Sequence, residues 1–174
     1  MEKKLEGKKV AMVIAHQRFR DEEYLRPKEI LEEEGASVTT ISSKKDIAIG
    51  MLGAKVKPDL ILNDLKVKEY DALIFVGGGG AEEYWTNQKA HSLAIEAVQR
   101  KKVLGAICIA PVILANAGLL YGKKATVYES EVDKIKGRGA IYNGLPVERD
   151  GNIITANGPD AADQFGKAIL EALS

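Results

Sequence analysis

The chain has 174 residues and one cysteine, and its 25 lysines and arginines balance 25 aspartates and glutamates. That length fits one domain, residues 1–174, able to bury a core without staples, and a lone cysteine excludes a disulfide scaffold. The balanced charge gives no overall pull toward nucleic acid or an anionic membrane, the start "MEKKLEGKK" is polar, and no apolar run approaches the roughly 18 residues of a membrane span. The expectation is a cytoplasmic protein with neither nucleic acid nor membrane as partner.

Strand-like and helix-like patterns alternate from start to finish. "KKVAMVIA" (8–15) is a β-branched apolar run bounded by lysines and reads as the first strand. "DEEYLRPKEILEEEG" (21–35) follows as a helix with acids in its first turn, an apolar stripe of Leu25, Ile30 and Leu31, and Gly35 as its stop. Pro27 is tolerable there only near the helix start. "SVTTIS" (37–42) reads as a second strand, and residues 44–68, with "KVKPDLILNDLKV", as a small hairpin excursion.

"YDALIFVGGGG" (70–80) is a central strand feeding a glycine loop, and "NQKAHSLAIEAVQRKK" (87–102) has apolar residues at helical spacing. A strand over 103–107 and a helix from about 110 to a stop at Gly118 enclose Cys108. "LPVERDGNIITAN" (145–157) contains Asp150-Gly151 between alternating runs, a strong hairpin signal, and "DAADQFGKAILEAL" (160–173) is an amphipathic closing helix. The alternation predicts an α/β protein: a flavodoxin-like, doubly wound, mostly parallel sheet with helices on both faces and small hairpin excursions.

Placed between strand and helix, Cys108 sits where an open α/β sheet binds ligands, at the carboxyl edge. A helix start beside it favours thiolate over thiol, and Pro111 suits the first helical turn. The arrangement is a nucleophile elbow with "AICIA" in place of G-x-S-x-G. The competing reading of Cys108 is a small buried hydrophobe. The glycines of "FVGGGGAEEYW" (75–85) let backbone approach a ligand and turn N–H groups inward; alone they read equally well as a turn, since they lack phosphate-loop and dinucleotide spacing.

Together, "FRDEEYLRP", "YDALIFVGGGG", "GAICIAPVILANAGLL" with "GKKAT", and "DGNIITANGPDAADQFGKAILEAL" resemble the DJ-1/PfpI family over nearly the whole chain, the last segment being more like the DJ-1 branch than the PfpI protease branch. The resemblance implies that Cys108 is the nucleophile. It implies Glu23 as the acidic partner, with Pro27 setting the register and Glu22 the alternative by one residue. Gly77 and Gly78, with the amide of Cys108 or Ile109, would form an oxyanion loop. It further implies a homodimer or higher homo-oligomer.

A thiolate and a carboxylate in contact repel, so one proton is shared and the glutamate's pKa is expected to rise. Ile109 stands where the protease branch has histidine, and Tyr128 falls on a second position where several members carry one. Of the two histidines, His91 is expected on the surface, and His16, near the carboxyl edge, is a candidate for the site. Without an adjacent imidazole, peptide hydrolysis lacks its usual base. The resemblance then favours a reactive carbonyl or a glycated adduct as substrate, in a glyoxalase-type or deglycase-type reaction needing no cofactor. A redox-sensing or chaperone-like role and a PfpI-type peptidase are the alternatives. No metal-ligand spacing is apparent among His16, His91 and Cys108.

Overall fold

The computed structural model describes residues 2–174. In chain order the strands are β1 (Lys9–Val13), β2 (Gln17–Phe19), β3 (Ser37–Ser42), β4 (Ala48–Gly50), β5 (Lys55–Val56) and β6 (Leu60–Ile61). They continue with β7 (Ala72–Phe75), β8 (Val103–Ile107), β9 (Lys124–Ala125), β10 (Ile141–Tyr142), β11 (Val147–Asp150) and β12 (Ile153–Ala156). The α-helices are α1 (Asp21–Glu33), α2 (Gln88–Gln99), α3 (Pro111–Asn116), α4 (Val132–Lys136) and α5 (Ala162–Leu173).

Seven strands form the central sheet in the order β11-β12-β8-β7-β1-β3-β6. Every neighbouring pair is parallel except β11 with β12, the hairpin at Asp150-Gly151. This is the mixed α/β, mostly parallel architecture expected from the alternation. Side chains of β1 alternate between two buried faces: Val10 and Met12 join one core, Ala11 and Val13 the other. The first core takes Phe165 and Ile169 of α5 and Leu31 of α1; the second takes Leu93 of α2 and Ile113 of α3. Each such fully buried Leu, Ile or Phe contributes about 1.5–3 kcal/mol.

Two sequence expectations are corrected. Leu25 is 45% exposed, and the inward face of α1 is instead Asp21, Glu23, Tyr24, Pro27 and Leu31. Pro27 is the seventh residue of α1 rather than a first-turn residue. Its Cα lies against Gly166 of α5, where an added Cβ would stand 3.0 Å away, so the two helices approach closely at that point. The hairpin expected within 44–68 is present as β4–β5. Leu60 and Ile61 instead extend the central sheet beside β3.

Candidate active site

β8 ends at Ile107, and Cys108 follows in the left-handed region with φ 65°. A non-glycine residue there costs on the order of 1–3 kcal/mol and persists only when its surroundings hold it. Here both peptide groups of the residue are held: Cys108 N–H donates to the Ala156 carbonyl at 2.9 Å, and the Cys108 carbonyl accepts from Tyr128 N–H at 2.8 Å. Pro111 then opens α3 at its first position.

The outer side of this turn is braced by residues that sequence reasoning missed. Trp85 Nε1 donates to the Ile109 carbonyl at 3.0 Å. The Trp85 carbonyl in turn accepts from Asn116 Nδ2 at 2.9 Å and from His91 Nε2 at 2.8 Å. His91, expected on the surface, is thus half-buried and engaged. Only tertiary proximity joins these residues, so nothing in the local sequence could have shown it.

Opposite the elbow, Glu23 in the first turn of α1 points inward and is 0% exposed. Glu22, one residue earlier, lies at the rim and pairs with Arg20, Nε to Oε1 at 2.9 Å. Burial therefore separates the two candidates. Gly77 sits between Glu23 and the thiol: a Cβ added there would collide with Cys108 Cβ, Glu23 Oε1 and the Ile107 carbonyl. Gly78 has φ 95°, and a Cβ on it would strike Arg20 N and the Arg18 carbonyl. Only glycine combines that backbone conformation with that approach. Arg20 N–H closes the junction by donating to the Gly77 carbonyl at 2.9 Å.

Both carboxyl oxygens of Glu23 are sealed from solvent, and neither meets a partner at full hydrogen-bond geometry. The Cys108 sulfur and the Gly77 N–H act on them at longer range. Burial is the largest influence and pushes the Glu23 carboxyl up to about 8, against smaller opposing effects of Cys108, the Arg20 charge and the Gly77 N–H. An unsatisfied buried carboxyl keeps its proton at neutral pH. The raised glutamate agrees with the shared-proton expectation.

The thiol departs from expectation. Burial first, and then the Glu23 charge, pushes Cys108 up to about 12, while the Gly78 and Ile109 N–H groups lower it. Burial thus outweighs the donors at this turn that favour thiolate. The two groups titrate as a pair: once one of them is ionised, the other gives up its proton less readily because a second negative charge beside the first is costly. In the singly charged state a proton on Glu23 leaves an O–H facing the sulfur, and Gly78 and Ile109 supply the other donors.

Cys108 is 7% exposed at the floor of a cleft of about 490 Å³, whose walls include Ile109, Tyr128, Gly78, Arg20 and Glu22. Tyr128, 42% exposed, is one of the residues lining this cleft, with its ring beside Gly158. His16 lines a separate depression with Arg18, Ser43 and Lys44, and its Nε2 is buried without a partner. Cys108, Glu23, Gly77, Gly78, Ile109 and Tyr128 are therefore brought together, and His16 is not among the residues of that cleft. Among the described residues no cluster of three His, Cys, Asp or Glu side chains is arranged to hold a metal, and no helix is long and apolar enough to cross a membrane.

A model of the DJ-1/PfpI family matches residues 8–172. The Methanocaldococcus jannaschii protein MJ0967 is 43% identical over 172 residues, covering 97% of this chain and 84% of that protein. Deglycase PH1704 of Pyrococcus horikoshii is 34% identical over 151 residues, covering 87% of this chain and 90% of that protein. A crystal structure of a ThiJ/PfpI domain protein from Brachyspira murdochii superposes with a TM-score of 0.93 at 31% identity, covering 96% of this chain and 98% of that one.

Proposed function

The chain belongs to the DJ-1/PfpI family, and from that footing we propose that it is a cysteine-dependent enzyme of reactive carbonyls, with Cys108 as nucleophile and Glu23 as its proton carrier. The observation that carries this reading is the fully buried Glu23 carboxyl set against a strained elbow thiol across Gly77. Relatives named deglycases support a small carbonyl compound or its adduct as substrate.

For a 2-oxoaldehyde such as methylglyoxal, the sulfur adds to the aldehyde carbon, forming a C–S bond, and the carbonyl oxygen takes a proton. The resulting hemithioacetal loses its C1 proton to Glu23, and the electron pair passes into an enediolate with its charge on the C2 oxygen. Glu23 returns the proton to C2 while the C1 hydroxyl proton passes to the C2 oxygen, giving a thioester. Water then displaces the sulfur, releasing a 2-hydroxy acid and restoring the thiol, so the net change is addition of one water. To the N–H groups of Gly78 and Ile109, which already act on the Cys108 sulfur, we assign the role of donors to the oxygen charge that develops.

Nothing in this sequence of steps needs an amine leaving group to be protonated. Peptide cleavage does, and neither His16 nor His91 lines the cleft. The reaction is tested by incubating purified protein with methylglyoxal and following its loss and 2-hydroxy acid formation. Glycated protein freed of aldehyde distinguishes action on the adduct from action on the free carbonyl that dissociates from it.

Homo-oligomerisation belongs to the same proposal. Ile47, Ile49, Met51 and Leu52 are all exposed, and Met51 also borders the cleft; an interface over them would cover an apolar patch. A redox role draws on the same thiol, since a sole cysteine cannot be resolved by an internal disulfide. Mass spectrometry after mild peroxide treatment reads that out.

A further inference from the structure

We propose that Arg20 is a positioning residue of this site: its guanidinium, fixed at the cleft wall by Glu22, stabilises the single negative charge shared by Cys108 and Glu23. This rests on the reading of Cys108 and Glu23 as the working pair.

The geometry links Arg20 to that pair by a short path. Its backbone N–H donates to the Gly77 carbonyl at 2.9 Å, and Gly77 is the residue wedged between Cys108 Cβ and Glu23 Oε1. The side chain is aimed by two hydrogen bonds to Glu22, Nε to Oε1 at 2.9 Å and Nη2 to Oε2 at 3.1 Å. Both side chains line the same cleft as Cys108, at 28% and 38% exposure. A guanidinium has five N–H donors, so three are left after Glu22 is served. A charge so placed is only partly screened and acts on a pair that burial has made unwilling to ionise.

The other charged and titratable groups facing the pair can be separated from Arg20. Asp21 faces the other way, with its carboxylate accepting from Leu52 N–H at 2.9 Å and Ala54 N–H at 2.8 Å. Asp160 and Tyr128 line the far walls of the cleft. Arg18 lies over Gly79, in the neighbouring depression. Glu22 is therefore the acid closest in kind to a counterweight: it holds Arg20 in place and opposes it in sign, and the two act in opposite directions on Glu23, Arg20 more strongly.

The test is the pH dependence of Cys108 alkylation by iodoacetamide, a neutral probe that reads the thiol without any substrate. Arg20→Gln keeps the backbone N–H to Gly77 but removes the charge, and the inflection should rise by roughly half a pH unit, slowing alkylation about threefold below it. Arg20→Lys should restore most of the wild-type profile. Glu22→Gln should move the inflection the opposite way, and added salt should shrink all three differences. An Arg20→Gln inflection equal to that of wild type, or Glu22→Gln shifting in the same direction as Arg20→Gln, overturns the proposal. Methylglyoxal turnover measured in parallel keeps the readings apart: the expected shifts without turnover refute the reaction and leave the role of Arg20 standing.

Discussion

Glu23 and Cys108 face each other across the Cα of Gly77, a residue with no room for a side chain on either flank. An acid that is 0% exposed and a thiol that is 7% exposed thus share one enclosed space. Their chemistry depends on how protons and charge divide within it.

Gly77→Ala should disrupt this space directly. Its methyl would meet Cys108 Cβ, Glu23 Oε1 and a backbone carbonyl, so the elbow or α1 must move. We expect alkylation of Cys108 to change by at least about tenfold and stability to fall by about 2–4 kcal/mol. Gly53→Ala is the control: Gly53 has φ 97° with nothing within 4 Å of an added Cβ, so it should cost only about 1–2 kcal/mol and leave alkylation unchanged. Thermal denaturation and alkylation rates check both.

Glu23→Gln should alter the pH dependence of stability. Between its ordinary 4.5 and its raised value of about 8, folded Glu23 holds a proton that the unfolded chain has released, so wild-type stability declines as pH rises through that window. Below it both states are protonated and above it both are ionised, so the contribution is flat on either side. Replacing Glu23 with neutral glutamine removes the decline, and the variant should gain on wild type by up to about 4 kcal/mol by pH 9 relative to pH 4. Urea unfolding at the two pH values measures it; a constant difference between the proteins would contradict the buried, protonated acid.

Trp85→Phe removes the indole donor to the Ile109 carbonyl while keeping the backbone carbonyl that serves His91 and Asn116. The expected cost is about 1 kcal/mol of stability and a several-fold fall in turnover through a looser elbow. Since Trp85 is the only tryptophan, its fluorescence in the unmodified protein should respond to alkylation of Cys108. A wild-type emission spectrum that ignores alkylation would show the elbow and Trp85 to be uncoupled.

Tyr128→Phe deletes a hydroxyl at the cleft wall and leaves the backbone bond from Tyr128 N–H to the Cys108 carbonyl intact. If the phenol acts in place of the family's histidine, kcat falls with little change in the alkylation profile; we expect a decrease of about tenfold. Equal kcat in the two proteins would reduce Tyr128 to a wall of the cleft.

The strand and helix periods made the central sheet legible, because buried parallel strands such as "VLGAI" are continuous apolar runs and the Asp150-Gly151 turn has a fixed chemistry. The elbow was legible too, since Pro111 marks the helix start one turn after the only cysteine. Glu23 was less so: local pattern alone makes it a solvated first-turn acid, and only the resemblance singled it out. The bracing by Trp85 and the pairing of Arg20 with Glu22 were invisible, since they depend on where distant side chains meet. The high thiol pKa was misjudged because the sequence shows a helix start but not the depth of burial that outweighs it.

The most direct test of the central claim is conversion of methylglyoxal to a 2-hydroxy acid by wild-type protein and by Cys108→Ala. The substitution removes only the sulfur from a residue whose backbone is held on both sides, so the fold should persist, as circular dichroism can verify. The account predicts measurable turnover in wild type and a loss of at least about 100-fold in Cys108→Ala. Equal turnover in the two proteins would contradict it.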